Sequence, residues 1–204
     1  VRVLVVPKWY PTAERPAFGA FCRDHALAIA ADHEVTVLAS YATPNPPFAL
    51  FELEEGVEDG LVTLRLRYRR PRLRAGALLC QLAGMFAALR RLRKRGFKPQ
   101  LIHAHVYSAG LPALALGRVS GAPVVISEHF TGFARGLVGG YELTLAKAAF
   151  RGADLVAPVS RELAARLRPL APRARLEVVP NPVDCSLFKP RKRKPGPPRV
   201  VCVA

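Results

Sequence analysis

Alternating strand-like and helix-like segments predict an α/β protein: a Rossmann-like, mostly parallel sheet of about seven strands flanked by helices. Three observations carry this expectation. Short apolar runs recur between stretches of helical periodicity. The first run, Val1–Val6, is aliphatic without a break, as suits a central parallel strand buried on both faces. Polar and glycine residues gather just after the runs, where a parallel sheet carries its ligand site.

Each element follows from its own pattern. Phe18–Ala31 puts Phe18, Phe21, Cys22, Ala26 or Leu27, Ile29 and Ala30 at helical spacing. Glu34–Ala39 reads as the second strand. Residues 41–60 are proline-rich and then acidic (Glu52, Glu54, Glu55, Glu58, Asp59), which reads as a long surface loop. Leu61–Arg67 alternates Val62, Leu64 and Leu66 with Leu61, Thr63, Arg65 and Arg67, the period of a half-exposed strand. Ala77–Arg95 is a long helix with Leu78, Leu79, Leu82, Met85, Phe86, Leu89 and Leu92 on its apolar side. Strands follow at Leu101–Val106, Pro123–His129, Leu155–Val159 and Leu176–Val179, separated by helical segments near 110–119, 140–151 and 161–168. Pro180-Asn181-Pro182 ends the last strand in a stiff turn, because proline fixes φ and removes a donor.

The chain of 204 residues is long enough for one well-buried domain of this kind. Residues 1–184 are expected to form it, with a Lys/Arg/Pro/Gly linker at 185–198. Arg199–Ala204 reads as the first strand of a second domain that is otherwise absent. No apolar stretch approaches the roughly 18–20 residues that cross a bilayer. The scattered Cys22, Cys80, Cys185 and Cys202 show no metal-ligand spacing and read as free thiols in a reducing cytoplasm. Thirty-one Lys and Arg against fifteen Asp and Glu give a net charge of +16, which points to an anionic partner.

The strand ends supply the candidates. Lys8-Trp9-Tyr10-Pro11 follows the first strand, and Gly19 opens the first helix, where free N–H groups favour an anion. A G-x-G-x-x-G fingerprint is missing, which argues against a nicotinamide-dependent oxidoreductase. Alternation puts His103 and His105 on one side of their strand, with His105 nearer its carboxyl end. His103 reads as a core residue and His105 as a substrate contact, and no third ligand completes a metal site. Ser127-Glu128-His129 ends an apolar strand, and burying three polar groups in a row is costly unless they line a cleft. Gly132, Gly136, Gly139 and Gly140 make the next loop mobile or closely approached. Ser160 is placed to cap the last helix and to open its first turn toward the same cleft.

Taken in order, these strand ends resemble the N-terminal domain of a GT-B glycosyltransferase of the family 4 type, over nearly the whole chain. The resemblance rests on the opening Trp9-Tyr10-Pro11 with Pro16, Gly19 and Phe21, and on Leu101-Ile102-His103-Ala104-His105, where Gln100 stands in place of the usual aspartate. It rests also on Ser127-Glu128-His129, on Ala153–Ser160, and on Pro180-Asn181-Pro182-Val183-Asp184 with Phe188 and Pro190. A single Gly19 replaces a common Gly-Gly pair, and Pro182 replaces the usual glycine.

The resemblance implies a two-domain, metal-independent enzyme without cofactor that moves a sugar, with retention, from a nucleotide-diphosphate sugar to an acceptor. The first domain binds the acceptor; the donor nucleotide belongs to the second. Gly19 would lie near the diphosphate or acceptor, and His105 near the reacting sugar as the catalytic candidate. Tyr10, Glu128, His129 and Ser160 would bind acceptor or substrate, and Asn181 and Asp184 would shape the interdomain crossing. The isolated chain is expected to be inactive, its acceptor a sugar, a lipid or a small molecule. The alternative is a non-catalytic Rossmann-like module that works with a separate chain.

Basic residues cluster at Arg65–Arg74, at Arg90–Lys98 and at Arg191–Lys194. Beside an apolar helix face they favour peripheral contact with an anionic membrane, at the inner face of a cytoplasmic protein. No nucleic-acid partner is expected, because no recognition motif is present and aromatics are not interleaved with the basic runs.

Overall fold

A computed structural model describes residues 1–44, 46–72 and 74–190. Twelve elements alternate along them: β1 (Arg2–Pro7), α1 (Ala20–Ala30), β2 (Glu34–Thr43), β3 (Phe51–Glu58), β4 (Leu61–Arg69), α2 (Arg74–Lys94), β5 (Leu101–His105), α3 (Tyr107–Ser120), β6 (Val124–Glu128), α4 (Gly140–Gly152), β7 (Leu155–Pro158) and α5 (Arg161–Leu167). One sheet of seven strands runs in the order β3-β4-β2-β1-β5-β6-β7. Every pairing is parallel except that of β3 with β4.

The sheet is covered on both faces, and alternation along β1 sorts the core into two halves. Leu4 and Val6 face the larger half, with Leu64, Leu66, Met85, Leu89, Ile102, Ile126 and Phe150. Val3 and Val5 face the smaller half beneath α1, with Cys22, Ala26, Val35 and Val37. Such two-sided cover is why the central strands read as unbroken aliphatic runs. On α2, Met85, Ala88, Leu89 and Leu92 pack inward, while Leu79 and Phe86 of the expected apolar side face out. The thiols of Cys22, Cys80 and Cys185 are free, and Cys202 lies outside the described residues.

Two expectations are corrected. Residues 51–58, expected as loop, form the antiparallel edge strand β3. Asp59 (φ 49°) and Gly60 (φ 80°) make the two-residue turn that joins β3 to β4. The acidic residues of β3 are matched by arginines: Glu58 by Arg65, Glu52 and Glu54 by Arg67, and Glu55 by Arg91 and Arg95. Conversely, residues 176–179 are not a strand of the sheet. They run along β7 with Glu177 N–H donating to Val156 and Val179 N–H to Pro158, and only Leu176 makes a bridge. Pro180 and Pro182 cannot donate to a ladder, and Val178 and Val179 remain exposed, so the segment lacks the apolar cover of a true strand. The expected strand at Arg199–Ala204, most of the linker and the Arg191–Lys194 cluster lie outside the described residues.

Candidate functional site

Pairing of Val5 with His103 and of Pro7 with His105 brings both histidines to the carboxyl end of the sheet centre, and His105 pairs in turn with Ser127. Their rings lie on one side of β5 with centroids 4.3 Å apart. His129, just beyond β6, stacks 5.3 Å from His105, and its Nε2 shares a 3.1 Å hydrogen bond with His105 Nδ1. His25 of α1 completes the cluster, its ring 5.1 Å from His105 and 5.3 Å from His129. His103 Nε2 is hydrogen-bonded to Ser127 Oγ at 2.8 Å. His105 is fully buried, and its Nε2 has no hydrogen-bond partner among the described residues.

Burial is the main cause that keeps these rings neutral. It pushes His103 down to about 3, with His25 and His129 adding to the effect. His129 falls to about 4 by burial and its neighbour His25, opposed by the Asn181 side-chain oxygen, which accepts from the ring. His105 lies well below the ordinary value, and His25 is lowered too. Each neutral imidazole offers one N–H donor and one lone pair. Four histidines meet, yet among the described residues no group of three or more His, Cys, Asp or Glu is arranged to hold a metal ion.

His25 escaped the sequence reading. It lies three residues after Cys22 and just before Ala26, on the buried stripe of α1, and that spacing was the available signal.

Gly19 caps α1 at φ 75°, and a Cβ there would meet the Trp9 carbonyl carbon and oxygen at 2.4 Å. Only glycine lets the helix start this close to the first loop. Trp9 packs against Phe18, Phe21 and Phe130, and the Phe21 ring lies 4.4 Å from that of His129. Tyr10 is not brought to the histidines: it sits in the smaller core half, its ring under the Arg65 guanidinium at 5.7 Å.

Glu128 is buried completely, and its carboxylate is spent on backbone. Oε2 accepts from Tyr107 N–H at 2.8 Å, and Oε1 accepts from His129 at 3.0 Å and Phe130 at 2.8 Å. Burial nevertheless raises it to about 7, against the pull of those three donors. The carboxylate stands in for the missing cap of α3, whose N-cap is Val106 at φ 71° and ψ 138°. A β-branched residue at positive φ is strained, and the strain falls on the residue directly after His105. Glu128 therefore holds the His105–Tyr107 corner.

Ser160 caps α5 as expected, its Oγ accepting from Leu163 N–H at 3.1 Å, and it is exposed at the end of β7. Asn181 reaches the cluster: His25 Nε2–H donates to its Oδ1 at 3.2 Å. Asp184 does not; its side chain accepts from Ser186 N–H and its carbonyl from Leu187 and Phe188, forming a local exposed turn. The fold thus joins His105, His129 and Asn181 with His25, sets Gly19 at the near end of α1, and keeps Tyr10 and Asp184 apart.

Residues 19–187 match the family model described as Glycosyltransferase Family 4. No curated protein matches the chain in sequence. Among solved structures, the chain resembles a sucrose-phosphate synthase from Thermosynechococcus elongatus at 17% identity and a TM-score of 0.63, over 94% of this chain and 51% of that one. It resembles Anabaena HepE, solved with UDP and glucose, at 16% identity and 0.60, over 93% and 47%. The catalytic domain of starch synthase IV from Arabidopsis thaliana, bound to ADP and acarbose, matches at 14% and 0.56, over 91% and 52%. At such identities the likeness establishes the fold, that of GT-B glycosyltransferases. The chain spans about half the length of these relatives.

Proposed function

The chain belongs to glycosyltransferase family 4, and from that premise we propose that it is the acceptor-side half of a retaining transferase fed by a nucleotide-diphosphate sugar. One observation carries the reading: neutral, buried histidines, with a His105 Nε2 that has no partner among the described residues, stand at the carboxyl end of the sheet, beside the glycine-capped start of α1.

Glycosyl transfer must stabilise a departing diphosphate and an oxocarbenium-like sugar while water is excluded. The start of α1 offers N–H groups and a positive dipole end to the diphosphate. His105 Nε2 hydrogen-bonds the reacting sugar, and His129 orients His105 through the ring–ring bond. Asn181 ties the exit segment to α1, so that a following donor-binding domain closes over the histidines. Ser160 lines the far side of the cleft. In this reading residues 1–184 are one domain, 185–198 lead out of it, and the isolated chain does not turn over nucleotide sugar.

The experiment compares nucleotide-sugar consumption by this chain with that of a two-domain polypeptide containing it. The chain alone is expected to be silent and the longer polypeptide active, with His105→Ala lowering kcat by about 100-fold or more. Full activity in the His105→Ala polypeptide would remove His105 from the chemistry.

The relatives' ligands, UDP with glucose and ADP with acarbose, support a nucleotide-linked donor and a carbohydrate-type acceptor. Peripheral contact with the inner face of an anionic membrane also belongs to this reading. No helix among the described residues is long and apolar enough to cross a bilayer. Arg65, Arg67, Arg91 and Arg95 are committed to Glu58, Glu52, Glu54 and Glu55. Of the basic residues outside those pairs, Arg90, Arg93 and Lys94 rim a groove of about 610 Å³ beside Phe86 and Val119, and the membrane reading rests on this face.

A further inference from the structure

The first loop has two sides. One carries Trp9, Phe18 and Phe21 toward His129. The other, Pro11–Pro16, roofs a separate cavity of about 590 Å³ over the open face of β2, β4 and β3. That volume is in the range of small-molecule sites. We propose that this cavity binds a neutral saccharide ring, as a second contact for an extended acceptor.

Within a lining that also carries Pro11, Ala13, Pro16 and Tyr41, the charged groups are held in place and balanced: Arg23, Arg65 and Arg67 against Glu14, Glu54 and Glu58. Arg65 is locked by four acceptor atoms: both oxygens of Glu58 at 2.6–2.7 Å, the Tyr41 hydroxyl at 2.7 Å and the Pro11 carbonyl at 2.7 Å. Arg67 commits only Nη2, to Glu52 and Glu54, which leaves Nε and Nη1 to donate. Arg23 reaches Asp24 and Asp59, and its buried Nε has no partner among the described residues. Fixed donors and acceptors side by side suit the paired hydroxyls of a sugar, since each polar atom is already oriented before the ligand arrives. Phosphate is disfavoured because every guanidinium has a carboxylate beside it, and an entering anion would meet Glu54 and Glu58 at once.

The inference rests on the acceptor-side reading only for the origin of the sugar; the pocket is tested by binding. Backbone amide NMR of the chain is recorded with maltotriose, and separately with glucose and with glucose 6-phosphate, up to about 50 mM. Saturable shifts at Thr12, Glu14, Tyr41 and Arg67 are expected with maltotriose, and glucose 6-phosphate should bind no more tightly than glucose. Arg67→Ala and Glu54→Gln, both at exposed positions, should each weaken maltotriose by about tenfold while the remaining amide spectrum stays unchanged. The proposal falls if none of the three sugars gives saturable shifts there. It falls also if shifts appear only around Gly19, His105 and His129, if both variants bind as the parent does, or if the phosphate tightens binding. Sugar bound in this cavity, together with a two-domain polypeptide lacking transferase activity, would keep the pocket and remove the transferase reading.

Discussion

Lowering the pH from 7.5 to 5.0 sets two buried charges against each other. His103 and His129 resist protonation in the fold, at about 3 and about 4 against an ordinary 6.5. The unfolded chain takes up those protons first, so their contribution is complete above pH 6.5 and is lost as pH falls toward the folded values. At pH 5.0 each costs about 2 kcal/mol of stability. Glu128 works the other way. Raised from 4.5 to about 7, it opposes folding above pH 7 and relieves that strain as it takes a proton, returning about 2 kcal/mol by pH 5.0. His25 and His105, lowered as well, add losses of the same sign, so the parent should lose stability over this range in spite of Glu128. Urea denaturation at the two pH values reads it directly. On acidification His103→Asn should lose about 2 kcal/mol less than the parent, and Glu128→Gln about 2 kcal/mol more, each relative to its own pH 7.5 value. If His103→Asn keeps the parent's acid sensitivity, the histidine cluster is not desolvated in the way argued here.

Three other outcomes follow. Gly19→Ala forces a Cβ into the Trp9 backbone at positive φ, and should cost about 2–4 kcal/mol by thermal unfolding at fixed pH, with Trp9 fluorescence altered. Glu128→Gln at pH 7.5 turns an acceptor on the α3 start into a donor, and should raise amide exchange at Tyr107 and Phe130 while leaving β1 and β2 protected. Arg90→Ala with Lys94→Ala should weaken co-sedimentation with phosphatidylserine vesicles by about 10–30-fold, from about 1 kcal/mol per cation. Loss of the same size on Arg67→Ala would move the membrane face elsewhere.

Periodicity revealed most of the fold, because two-sided burial leaves an aliphatic signature on Val3–Val6 of β1 and Val124–Ile126 of β6. It failed at β3, where four of eight residues are glutamates and the partners that neutralise them are arginines of β4 and α2. The Asp59-Gly60 turn signal was present and outweighed by composition. At residues 176–179 an apolar run suggested a strand, but the neighbouring prolines and the exposure of Val178 and Val179 decided otherwise. At the site, alternation correctly joined His103 with His105, since their relation is local. His25 could not be read with them, because its approach to His105 depends on how α1 packs on the sheet. Glu128 was read as lining a cleft to bind substrate and not as a buried helix cap, since the α3 start it holds belongs to another segment.

The two margins of the sheet are guarded differently. Along β7 the lateral amides and carbonyls are masked by the chain's own residues 175–179. Along β3 the exposed rim is studded with glutamates already tied to arginines. A stray peptide seeking to extend the sheet meets a blocked ladder on one flank and charge on the other. Amyloid-like stacking is thereby discouraged, and trimming the chain back to Ala174 would uncover the β7 flank and invite aggregation.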